Sequence, residues 1–154
     1  MRLVSHGGLL QYFQRTFFWT RVRTSDDVWR MLVPRRDHQI GFQEFLAVLL
    51  AWATFSNCLQ GSLWRSFVEN DSVLHAVTNG SGGKTDTSLC IGRLWLELAA
   101  AGVGLHMGRA ESAANVADGP TRDRFNLLAL LKATWVPPRL PPWLRTLWGI
   151  SDTV

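Results

Sequence analysis

The chain of 154 residues is 47% hydrophobic and 18% charged, with a formal net charge of +4. This length fits one domain with at most a tail, and the balance excludes a disordered or heavily solvated chain. All of the 16 basic residues except Lys84 and Lys132 are arginines, a bias that allows phosphate contact without establishing it. Cys58 and Cys90 form no CxxC pair, which argues against a disulfide scaffold and a structural zinc site. The opening MRLVSHGGLLQYF lacks the apolar stretch and cleavage site of a signal peptide. The most apolar run, residues 45–55, falls short of the about 20 residues of a membrane span. The expectation is a soluble intracellular chain, cytoplasmic or nuclear, with no membrane role.

Residues 9–13 and 17–23 are two aromatic-rich runs around a polar break, which reads as a β-hairpin. Ser25-Asp26-Asp27 offers an N-cap to a short helix over 28–33, stopped at Pro34. Residues 39–57 carry the strongest helix signal, apolar almost all round and therefore expected to be buried on most sides. Gly61-Ser62 reads as a turn and 63–68 (LWRSFV) as a strand. Asn70 or Asp71, the latter favoured, caps a short helix over 72–77, and NGSGG at 79–83 reads as a loop. A second long helix is expected over 87–101, ending at Gly102, followed by a strand at 103–107 and a loop at 109–115. Pro120 opens a third helix, expected to run to about Ala133. The order predicts an α/β fold, a mixed sheet flanked by helices, over 1–133. Residues 134–154 form a Trp/Pro-rich tail, expected to be irregular and to pack back on its own domain, with docking of the PxxP-like segment at 138–141 in a partner's aromatic groove as the alternative.

Three carboxylates fall at the ends of these elements. Glu44 is the sole charge between Gln39 and Trp64, in an apolar helix where an unpaired charge is costly. Glu69 follows the strand 63–68, and side chains at the carboxyl ends of strands line the crevices of open α/β sheets. Asp118 precedes Gly119-Pro120. Each alone reads first as a solvated residue or a helix cap rather than as a ligand. Together, oxygen-only ligands suit Mg²⁺ or Mn²⁺, and two such ions can activate a water and stabilise the leaving oxygen of a phosphodiester.

Four stretches in this order, QIGFQEFLAVLLAWATF (39–55), SFVENDSVLHAVTNGS (66–81), IGRLWLELAAAGVGLHM (91–107) and ESAANVADGPTR (111–122), resemble the RNase H domain of retrotransposon reverse transcriptases. The last is the most specific. The family's Ser-x-x-Asn-x-Ala-Asp-x-x-Ser-Arg is matched by Ser112, Asn115, Ala117, Asp118 and Arg122, with Thr121 in place of Ser. The resemblance implies an RNase H-like fold and two-metal hydrolysis of RNA in RNA–DNA hybrids. It makes Glu44, Glu69 and Asp118 the catalytic and metal-binding acids, and Arg93, Arg109 and Arg122 candidate phosphate contacts. It also implies an upstream reverse transcriptase domain as a partner.

Two departures from the family pattern bear on activity. The family's first acid, an Asp on the first strand, has no counterpart before Asp26, so the first strand is expected to be partly or wholly missing from an N-terminally truncated domain. Glu69 stands where the family has Asp, and Mg²⁺ tolerates little displacement of its ligands. The resulting expectation is a retroelement-derived endoribonuclease that is weakly active or inactive. The alternative is a non-catalytic nucleic-acid-binding or protein-interaction remnant of a reverse transcriptase polyprotein.

Overall fold

A computed structural model describes residues 6–13, 16–23, 39–111, 115 and 118–144, with backbone alone at 6–13, 22–23, 39–40, 118 and 121. Strands β1 (His6–Phe13) and β2 (Thr16–Arg23) form the expected hairpin, antiparallel from His6↔Arg23 to Phe13↔Thr16. The aromatic and β-branched residues of β2 suit a pleated, half-buried surface. The far edge of β2 takes a third strand in parallel, β5 (Thr134–Trp135), through Phe18↔Thr134 and Trp19↔Trp135. The helix expected over 28–33 lies outside the described residues.

Helix α1 (Gln39–Leu59) runs two residues beyond its expected end. Phe45, Val48, Leu49 and Trp52 on one side and Leu46, Leu50 and Ala51 on others are all buried, so the helix serves as the shared wall of the core. Its segment Gly41–Leu59 is long and apolar enough, by length and composition, to cross a membrane. The 45–55 run therefore understated the element. A core helix with this much burial meets the same criterion.

Gly61, at φ +66°, turns the chain from α1 into β3 (Leu63–Val68), which matches its expected bounds. Then come α2 (Asp71–Asn79), α3 (Thr85–Ala100) and β4 (Gly104–Arg109). Strand β4 returns parallel to β3, from Leu63↔Gly104 to Val68↔Arg109. Parallel neighbours require such a crossover, and helices serve it best. Trp64 and Val68 of β3 are buried with Ile91, Leu94 and Leu98 of α3, while Leu63, Arg65 and Phe67 face away and are exposed. That alternation fits a strand covered on one face.

The fold is α/β, with one mixed three-stranded sheet, one parallel pair and flanking helices. The two sheets are separate among the described residues, which leaves β1, β3 and β4 each with one unpaired edge. The helix expected from Pro120 to Ala133 is instead two short ones, α4 (Asp118–Thr121) and α5 (Asn126–Leu130). Asp123 breaks them apart at φ 56°, where Arg21 of β2 holds its carboxylate.

The segment after α5 packs back on the rest of the chain. Trp135 meets Trp19 edge-on at 4.6 Å, and Val136 N–H donates to the Trp19 carbonyl. Arg139 N–H donates to Thr54 Oγ1 of α1 at 3.0 Å. Pro141 and Leu144 are fully buried, so the PxxP-like segment is partly engaged within its own chain.

Candidate functional site

Glu44 lies in the second turn of α1, where the helix passes beside the end of β3. The chain bends at Glu69 and starts α2 with Asn70 as its N-cap. Asn70, rather than the favoured Asp71, does the capping, since its side chain accepts from the N–H groups of Ser72 and Val73. An Asn oxygen in this position satisfies donors that the helix leaves unpaired. With its side chain so used, the Asn70 backbone N–H turns outward and donates to Glu44 Oε2 at 2.9 Å.

The Glu44 carboxyl is held above the ordinary value of 4.5. Burial is the main cause, and the neighbouring Glu69 carboxylate adds to it, while the N–H groups of Asn70 and Glu69 pull the other way. Glu44 and Glu69, 25 positions apart in the chain, are therefore electrostatic neighbours. Glu69 Oε1 in turn accepts from Asn115 Nδ2, which reaches across from the loop after β4. Asp118 opens α4 three positions further on, and its side chain lies outside the described residues.

The structure thus joins Glu44 and Glu69 and adds Asn115, a residue of the 111–122 motif that the site assignment passed over. The motif itself was the available signal, because its Asn sits three residues before Asp118. Among the described residues no group of three or more His, Cys, Asp or Glu is placed to hold a metal ion. Two carboxylates with one pushed toward protonation form a pair that a divalent cation would relieve, and their hard oxygens suit Mg²⁺ or Mn²⁺.

The candidate arginines are dispersed. Arg109 ends β4 and pairs with Asp71, the first residue of α2, at 3.3 Å, which sets a cation near the acid pair. Arg93 pairs with Glu97 one turn along α3 at 3.2 Å, and Glu97 also accepts from Trp52 Nε1 at 2.8 Å, so Arg93 has a structural partner. Arg122 is exposed just after α4. Arg21, which no sequence motif marked, donates to the Pro120 carbonyl at 3.1 Å and to Asp123, tying β2 to the α4–α5 turn.

Comparisons with protein-family models, curated proteins and solved structures return no match to this chain.

Proposed function

We propose that the chain is an RNase H-like domain related to those of retrotransposon reverse transcriptases. Its ancestral reaction is two-metal endonucleolytic cleavage of RNA in RNA–DNA hybrids. The observation that carries this reading is the meeting of Glu44 and Glu69 at the carboxyl end of β3, fixed by the Asn70 N–H. The resemblance names these two residues on motif grounds, and they are neighbours in space. Mg²⁺ or Mn²⁺ would supply the activated water and the stabilised leaving oxygen. Glu44, Glu69 and Asp118 would hold it, the Asn70 N–H would orient Glu44, and Asn115 would orient Glu69. Arg109, and more distantly Arg93 and Arg122, would meet the phosphate backbone.

In this reading the chain is weakly active or inactive. The motif's first Asp has no counterpart among residues 1–25, and Glu69 replaces an Asp with a side chain one methylene longer. The deciding experiment incubates purified protein with a labelled RNA–DNA hybrid in Mg²⁺ and in Mn²⁺, beside Glu44→Gln. The expected result is slow RNA-strand cleavage, stronger in Mn²⁺ and lost in Glu44→Gln. Equal rates for both proteins would remove the nuclease reading.

The second reading is a non-catalytic nucleic-acid-binding remnant, favoured by Glu69 standing where the family motif has Asp and by the lack of an acid before Asp26. It predicts hybrid binding that weakens steeply with salt, and no cleavage.

A further inference from the structure

The face of the β3–β4 pair turned away from the helices has features that the acid pair does not use. Strand β3 places Leu63, Arg65 and Phe67 on it, and β4 places Gly104, His106 and Gly108 opposite them in register. Leu63 and Phe67 are each 63% exposed, a costly display for side chains of this size. The glycines explain how they lie. A Cβ on Gly108 would come within 2.8 Å of the Phe67 ring, and one on Gly104 within 3.3 Å of Leu63 Cδ1. The Phe67 ring therefore lies beside the bare backbone of β4 at Gly108, in space that a side chain there would fill, and stays largely open to solvent.

No acid occupies these six positions. Arg65 and His106 stand opposite each other and are exposed, with no ion pair among the described residues. Residues two apart on a strand share a face at about 6.6 Å separation. Arg65 and Phe67 thus present a cation and an aromatic ring side by side on one exposed face. An apolar partner alone would leave Arg65 unpaired, and an acidic peptide would leave the flat ring without a planar counterpart.

We propose that this face is a stacking platform for single-stranded nucleic acid, with an unpaired base on Phe67 and its phosphate on Arg65 and His106. Sheet-borne aromatics flanked by cations bind single strands through base stacking that tolerates any sequence. The platform needs neither the cation site nor its chemistry, so it stands or falls apart from the nuclease reading.

The test measures anisotropy of a labelled short oligouridylate, and of an abasic oligomer with the same backbone, in EDTA so that no cation-dependent step contributes. Phe67→Ala is expected to weaken oligouridylate binding by about tenfold. Phe67→Trp should keep it, and all three proteins should bind the abasic oligomer equally and more weakly. Arg65→Ala should lower the salt slope by about one unit. Phe67 is exposed, so its truncation leaves the core intact. Unchanged affinity in Phe67→Ala, or abasic binding as tight as oligouridylate binding, overturns the proposal. So does a wild-type dimer in sedimentation that Phe67→Ala dissolves, since a second copy would then own the face.

Discussion

Glu44 carries its pH behaviour in its surroundings. Below its ordinary value of 4.5 the carboxyl is protonated both folded and unfolded, and its burial costs little. As pH rises through the raised folded value, ionisation penalises the folded state relative to the unfolded one, so stability is lost upward in pH. Glu44→Gln keeps an oxygen for the Asn70 N–H and drops the charge. It should melt higher than wild type at neutral pH, with the gap closing below 4.5, in thermal scans across pH. Mn²⁺ should raise the melting temperature of wild type and leave Glu44→Gln largely unmoved. The neighbouring cap gives a separate prediction. Asn70→Ala should cost about 1 kcal/mol in urea unfolding, and Asn70→Asp should recover most of it. At this scale the sequence marked Glu44 and Glu69 but not the groups that set their state. The Asn70 backbone donor and the Asn115 amide act through space, and no spacing along the chain encodes either contact.

The elements differ in how far their own residues determine them. Strand β3 matches its expected bounds because a period-2 burial pattern between a Gly turn and an Asn cap leaves little freedom. Helix α1 was legible as a buried rod because it lacks an apolar stripe and shows apolar residues on most sides. The split between α4 and α5 was not legible. Residues 120–133 contain no internal proline or glycine after Pro120, and the break falls at Asp123, whose positive φ accompanies a local turn closed by Arg124 N–H donating to the Gly119 carbonyl. Asp is a residue that tolerates the left-handed conformation, and the ion pair to Arg21, 102 positions away, is an addition that no local pattern encodes. The α3 face toward the sheet is the densest packing in the parallel unit, with Ile91, Leu94 and Leu98 all at 0% exposure. Leu94→Ala should therefore cost about 2–5 kcal/mol in chemical denaturation, at the upper end if the site fails to collapse.

For the whole molecule, the segment after α5 links parts that the two sheets leave apart. It adds a strand to the hairpin through Trp135, touches α1 through Arg139 and ends on the buried Leu144. Leu144→Ala should lower stability by about 2–5 kcal/mol, read by urea midpoint at constant slope. Trp135→Ala should also lower stability, with about 0.5–1.5 kcal/mol of the loss coming from the edge-on contact with Trp19 and the rest from the buried half of its ring. The α/β class was legible from element order, and the packing-back of this segment was expected, but the place where it docks was not legible. Prolines at 137, 138, 141 and 142 signal an irregular path and say nothing of where it lands.

The composition of α1 matters most when the molecule comes apart. Its Gly41–Leu59 stretch matches a bilayer span in length and greasiness, and the sheets, α2, α3 and the segment after α5 keep it from lipid. Until those layers close during synthesis, or once heat opens them, the nascent or melted chain presents a rod with affinity for vesicles and detergent micelles. Refolding is thereby a race between docking and capture, and heating in the presence of liposomes should turn a reversible melt into an irreversible one.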